Sequence, residues 1–275
     1  MAEPLPQTRA DAPPAPWEGL ARAVQPFFLN RIRGTLSILA GLAIWEFFSR
    51  VVIDNALFLA APTQILGALV KLTETGELQH HLWISGIEFV VGYVIASVLG
   101  IALGVAMAGS VTVKQVMQPW VSGIYATPTI ALAPLFILWL GIGIWSKVIV
   151  VVTLVIFSVS INTEAGLRQT SDRLIEMLRS FGASRQQIFW KLSLPSATPF
   201  VLAGLKLGIG RGLIGVVVAE LFGSRAGLGR LISQSADSFN MPELFAGVVV
   251  LAFAGIVMTA GFSWLEGKLV PWTKD

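Results

Sequence analysis

The chain has 275 residues, of which 55% are apolar and 13% charged, whereas an ordinary soluble domain carries about 25% charged residues; with a mean hydropathy of +0.75 this argues against a water-soluble enzyme and for lipid as the solvent. The net charge of +3 does not mark a nucleic-acid binder, because the basic residues are scattered between apolar runs and read as topology signals. Cysteine is absent, which excludes disulfides and thiolate metal sites, and the adjacent His80 and His81, in a polar stretch without partner ligands, predict no metal site.

Residues 1–33 contain Pro4, Pro6, Pro13, Pro14, Pro16 and Pro26 among mixed charges, too little apolar material to offset the entropy of ordering. A disordered cytoplasmic tail is expected, its last part lying on the bilayer surface with Arg22, Arg31 and Arg33 near anionic headgroups. The first apolar run begins only near Thr35 and carries no small-residue cleavage pattern, so no cleaved signal peptide is expected.

Six apolar runs follow, at about 35–53, 82–108, 119–141, 147–166, 197–222 and 243–265. Each reaches the roughly 20 residues that a bilayer crossing requires. None shows the two-residue alternation of a porin strand, so the expected class is all-α: one polytopic membrane domain over 34–270 with six transmembrane helices. The apolar stretch from Pro62 to Leu72 is too short to cross and is expected at the interface.

Six crossings put both termini on one side. With the amino end inside, the inner segments hold 12 of the 19 basic residues (Arg9, Arg22, Arg31, Arg33, Lys114, Arg168, Arg173, Arg179, Arg185, Lys191, Lys268 and Lys274). The outer segments hold only Arg50, Lys71, Lys147, Arg225 and Arg230, so both termini are expected in the cytoplasm.

The third run is punctuated by Pro119, Pro128 and Pro134, each of which removes a backbone donor. Broken helices are tolerated in membranes where protein or a water-filled cavity covers the freed carbonyls, so this run is either a pathway wall or a kinked packing helix. Thr127, beside Pro128, and Asn162 offer hydrogen bonds either to a passing solute or to a neighbouring helix.

Between the fourth and fifth runs lies a charged stretch, 168–195, with a net charge of +3. Within it Leu174, Met177, Leu178 and Phe181 follow helical i, i+3, i+4, i+7 spacing, with Asp172, Arg173, Glu176 and Arg179 on the remaining surface. Gly182 can close that helix in a left-handed conformation, and Ser184 with Gln187 fits a capping box opening a second helix. The second is expected to run from Arg185 to about Leu192 and to stop before Pro195.

This stretch resembles the cytoplasmic signature of the permeases of bacterial ABC importers: E-A-A, three residues, G, nine residues, I, one residue, L-P. Here it reads Glu176-Met177-Leu178, Gly182, Leu192, Ser193 and Leu194-Pro195 with the spacing intact; Met177, Leu178 and Leu192 replace two alanines and an isoleucine and enlarge the apolar face. Ser180 to Ser184, Pro128 to Gly143, Gly204-Leu205, Ala219-Glu220 and Gly227-Leu228-Gly229 are similar to the nitrate, sulfonate, taurine and bicarbonate branch, and the likeness covers about 35–270. The resemblance implies a bacterial inner-membrane permease, paired with a second, identical copy, that passes a small anionic solute brought by an extracytoplasmic solute-binding protein. It implies that Glu176, Met177, Leu178, Phe181, Gly182, Ala183, Ser184, Leu194 and Pro195 form the segment on which a cytoplasmic ABC ATPase seats, with ATP and magnesium bound there and no cofactor held by this chain. The composition agrees that the motor is separate, since no G-x-x-x-x-G-K-[ST] phosphate loop occurs. A short helix with exposed apolar residues otherwise lies on the bilayer surface.

Further pathway candidates are Thr127, Pro128, Pro134, Lys206, Arg211 and Glu220. Lys206 and Arg211 are ionisable at membrane depth, which is costly enough to suggest function; they attract an anion, or Lys206 snorkels to the cytoplasm and Arg211 pairs with a carboxylate such as Glu220. Glu46 and Glu88 raise the same question. Gly210, Gly212 and Gly215 match a dinucleotide fingerprint but lie in an apolar run without a preceding strand. With Gly204 and Gly208, and with Gly100 and Gly104, they fit close helix packing instead. No catalytic residue is expected. Two other classes remain open: an ion-gradient-driven carrier, which would need a midplane ion site and repeated halves, and a membrane-anchored regulator using 171–193 as a helix-turn-helix, whose tethered helices would reach a groove poorly.

Overall fold

A computed structural model describes residues 33–55 and 57–270; the expected amino-terminal tail lies outside them. The described residues are mostly helical, without strands, as lipid demands of a chain that must satisfy its own backbone. The chain divides into a first unit ending at Pro62 and a second from Thr63 onward. The first contains α1 (Arg33–Ile53), whose last turn is π-helical from Phe48 to Ile53. The Ser49 hydroxyl donates to the carbonyl of Leu59 at 2.8 Å, and Glu46 pairs with Arg50 one turn on.

The second unit is built from α2 (Pro62–Glu74), α3 (Glu77–Gly109), α4 (Val111–Ala126), α5 (Ala133–Leu140), α6 (Ile144–Arg168), α7 (Asp172–Ser180), α8 (Arg185–Ile188), α9 (Leu194–Gly223), α10 (Leu228–Asp237) and α11 (Met241–Leu269). α6 is its centre. Phe89 and Ala96 of α3, Val151, Val155 and Val159 of α6, and Ile209 and Val216 of α9 form the buried core.

Glycine faces bring these helices together. A β-carbon on Gly92 or Gly100 would fall within 2.8 Å of the β-carbon of Val151 or Val159, and one on Gly104 within 2.6 Å of the Ser160 carbonyl. Gly204, Gly208, Gly212 and Gly215 of α9 meet α6 in the same manner, but Gly210 faces open space and takes no part. Small residues permit this approach where apolar side chains gain little by leaving lipid.

The contacts also give direction. The glycine series of α3 ascends with the numbering of α6 and that of α9 descends against it, so α3 and α6 run parallel and α9 returns. The chain leaves α3 beside the carboxyl end of α6, where Lys114 meets Glu164 at 2.7 Å, and begins α6 about 37 Å away at its other end. The segment between them therefore crosses once. It does so as two helices, Val111–Ala126 and Thr129–Leu140, bent by 84°.

Two expectations are corrected here. Pro119 leaves α4 unbroken, and the bend falls at Thr127–Pro128, with Pro134 in the first turn of α5, where a missing N–H costs nothing. The helix starting at Arg185 does not stop before Pro195: it passes through a π-helical stretch, Phe189–Ser193, into α9. The wider π turn accommodates the proline ring that would clash inside a regular helix. His80 and His81 stand on the first turns of α3. The short helix α10 between the last two crossings was not foreseen.

Gly104→Ala should lower stability by about 1–3 kcal/mol, the range for overpacking a tight contact, whereas Gly210→Ala should leave it unchanged or slightly raised; thermal unfolding of the detergent-solubilised chain measures both.

Candidate functional site

Three places in the second unit gather polar residues. The first is the projection between α6 and α9. Gly182 has φ +80°; its amide donates to the carbonyl of Arg179 at 2.9 Å and that of Ala183 to the carbonyl of Leu178 at 3.0 Å, the paired bonds of a Schellman ending. Ser184 then opens α8: its hydroxyl accepts from the Gln187 amide at 3.3 Å and its own amide donates to Gln187 Oε1 at 2.8 Å. The turn is held from both sides. No residue of α7 is buried, and Phe181, 81% exposed, stands out with Leu174, Met177 and Trp190. Ordered backbone carrying uncovered apolar side chains is the geometry of a docking surface.

The second is a cavity of about 280 Å³ at the bend, lined by Tyr125, Thr127, Pro128, Thr129, Thr153, Phe157 and Arg211 among others. Arg211, near the middle of α9, donates from Nη2 to the Tyr125 hydroxyl at 2.7 Å, and its guanidinium carbon lies 4.8 Å from the centre of that ring. Among the described residues its other donors meet no protein acceptor. Thr127 bonds the carbonyl of Gly123 on its own helix at 2.8 Å.

Of the expected pathway residues the cavity unites Thr127, Pro128 and Arg211. Pro134 is not in its wall. Lys206 lies 3.3 Å from Glu266 of α11, and Asn162 bonds the carbonyl of Ser158 on its own helix at 2.7 Å. Tyr125 carried no signal in the sequence, because the bend that turns it toward α9 is not visible in hydropathy.

The third place holds Glu220, which is neither in the wall of that cavity nor paired with Arg211. It is fully buried and accepts from the Ser85 hydroxyl and from the Gly229 amide, each at 2.6 Å. Ser85 accepts in turn from the Leu228 amide at 2.8 Å, and His81 Nδ1 accepts from the Gly227 amide at 2.9 Å. Three orphan amides at the start of α10 thus find acceptors on α3 and α9, as a buried helix end requires. Beside them Glu88 and Lys147, both buried, stand 3.8 Å apart. Glycine is needed where the carboxylate approaches: a β-carbon on Gly227 would lie 2.2 Å from Glu220. The Ala-Glu and Gly-Leu-Gly pattern was visible in the sequence, but the pairing was not, since 135 residues separate Ser85 from Glu220.

Residues 96–275 match the family described as binding-protein-dependent transport system inner membrane component. The formylaminopyrimidine transport permease protein ThiX of Halalkalibacterium halodurans is 35% identical over 87% of this chain and 95% of its own length. The taurine transport system permease protein TauC of Escherichia coli is 30% identical over 87% and 88%, and the riboflavin transport system permease protein RibX of Chloroflexus aurantiacus is 28% identical over 99% of both. Among solved structures, a chain of the inward-facing MetNI methionine ABC transporter superposes with a TM-score of 0.60 at 18% identity, covering 70% of this chain and 95% of that one.

Ser85→Ala removes one donor from Glu220 and the acceptor of the Leu228 amide, and should cost about 1–3 kcal/mol, the penalty for a buried group left unpaired; thermal unfolding against Ser263→Ala, whose hydroxyl only bonds its own helix, provides the comparison.

Proposed function

Since the chain belongs to the family of binding-protein-dependent transport system inner membrane components and is an ABC importer permease subunit, we propose that it passes a small anionic solute beside Arg211, driven by a separate ATPase seated on α7 and α8. The observation that carries the docking is the projection itself: a turn fastened by a Schellman ending and a capping box, displaying Leu174, Met177 and Phe181 to solvent. An ATPase groove that received them would bury apolar area at little conformational cost, because the backbone is already ordered. Glu176, Met177, Leu178, Phe181, Gly182, Ala183 and Ser184 provide that face, and Leu194-Pro195 sit where α8 continues into α9. That continuity would convert displacement of the projection directly into movement of α9, which carries Arg211.

The anionic reading rests on Arg211. A guanidinium at membrane depth, with donors that no described residue takes up, suits a carboxylate, sulfonate or inorganic oxyanion, which it can hold through paired hydrogen bonds. The permease catalyses nothing itself in this reading; ATP and magnesium belong to the partner ATPase. An extracytoplasmic binding protein supplies the solute, and a second copy of the permease completes the passage.

The projection is assigned to the cytoplasm. Lys114, Arg168, Arg173, Arg179, Arg185, Lys191 and Lys268 gather at its end of the second unit, against Lys71, Lys147, Arg225 and Arg230 at the other. Because the chain has no cysteine, Glu176→Cys gives a single label site. A membrane-impermeant maleimide should react in inverted vesicles and not in intact cells; labelling from outside would reverse the assignment.

Reconstitution with the cognate ATPase and binding protein tests the rest. In Gly182→Asp, a β-carbon at φ +80° and a negative charge on the docking face should release the ATPase or abolish transport-linked hydrolysis while membrane insertion persists. In Arg211→Gln, uptake should fall about tenfold, as expected for loss of one charge-assisted contact, with the ATPase still bound. Normal uptake in the first variant would remove the docking assignment, and in the second the anion contact.

A further inference from the structure

Beyond the projection and the cavity, one buried group ties them together. α4 has 16 residues and only Val121 is buried, so it is a lightly packed rod about 24 Å long. Among the described residues, one polar contact holds each of its ends to another element. At the far end the Tyr125 hydroxyl accepts from Arg211 at 2.7 Å. At the near end Lys114 Nζ lies 2.7 Å from Glu164 Oε1.

Glu164 is on α6, one turn before its end, with its side chain 9% exposed. The same Oε1 accepts from Arg168 Nε at 2.8 Å. Arg168 Nη2 donates onward to the Met107 carbonyl in the last turn of α3 at 3.3 Å. Arg168 is the last residue of α6, and α7 begins at Asp172 after a link whose Gln169 and Thr170 amides bond back into α6. The Glu164 carboxylate therefore joins the base of the projection to α4, and Arg168, which it holds, joins that base to α3. A carboxylate largely removed from water and shared by two cations resists small displacements, because breaking either pair leaves a charge uncompensated.

We propose that Glu164 is a positioning residue for transport: it hands movement of the α7–α8 projection through Lys114 to α4, whose far end carries Tyr125 against Arg211 in the cavity. α4 suits this role because little else holds it. The inference rests on the reading that the ATPase seats on the projection.

The test uses the whole complex, permease with ATPase and binding protein in proteoliposomes, carrying Glu164→Gln, Lys114→Met or both. Four readouts are taken: ATPase retained on purification, ATP hydrolysed, solute taken up, and thermal midpoint. The expected pattern is ATPase retained, hydrolysis within about twofold of the parent, and uptake reduced about tenfold in each single variant, the scale of a lost charge-assisted bond. The double variant should be no worse than either single one, as for two groups acting through one contact, and Glu164→Asp should restore part of the uptake. A merely structural role would lower hydrolysis, uptake and thermal midpoint together.

Unchanged solute transported per ATP in both single variants would overturn the proposal, as would losses that add in the double variant or that follow release of the ATPase. If Glu164→Gln fails to insert, Lys114→Met, on the more exposed side of the pair, decides the matter alone. Gly182→Asp run in parallel separates the two readings: an ATPase that stays bound and drives uptake there removes the docking assignment, whereas the Glu164 and Lys114 variants report on transmission.

Discussion

In hydrocarbon an apolar side chain gains little by exchanging lipid for protein, so this bundle depends on how closely α6 lets its neighbours approach. The glycines of α3 and α9 remove the side chains that would hold the backbones apart, and β-branched Val151, Val155 and Val159 fill the space between them. Dispersion over a close, well-fitted contact takes the place that water expulsion holds in a soluble core. Because the fit leaves no room for a β-carbon, it also fixes the relative depth of the three helices. Arg211, Glu220 and Glu164 consequently stand at defined levels.

Polar groups inside such a bundle need partners, and here they find them at its two ends. At the end where α10 begins, Glu220, Ser85 and His81 take up three amides. At the end facing the projection, Glu164 gathers Lys114 and Arg168. Between these ends Arg211 meets one partner among the described residues, the Tyr125 hydroxyl, and keeps donors to spare. An ionisable side chain at this depth is costly unless it is used, which is why the proposed anion contact is placed at Arg211.

The projection departs from the rest of the molecule in the opposite sense. The turn between its two helices is fastened by the Gly182 ending and the Ser184 cap while its apolar side chains are uncovered. The relatives that share most of this chain's length carry names for formylaminopyrimidine, taurine and riboflavin transport. Relatives of one family thus carry names for chemically different cargoes, so the shared fold does not by itself specify the solute.

Much of this was legible in the residues. Apolar run length and the scarcity of charge demanded transmembrane helices, since no other structure satisfies an isolated backbone in lipid, and local spacing gave the amphipathic α7, the Gly182 ending and the Ser184 cap. These features depend on interactions within a few residues of one another. The sequence alone did not determine that the chain bends by 84° at Pro128 while passing unbroken through Pro119 and Pro195, that Tyr125 meets Arg211, that Glu220 serves α10, or that Glu164 and Arg168 tie α6 to α4 and α3. Each of those depends on which groups, often more than 60 residues apart, the packing brings to one depth. Tertiary structure decided them, because a proline's missing bond and a buried charge cost little or much according to the neighbours that packing supplies.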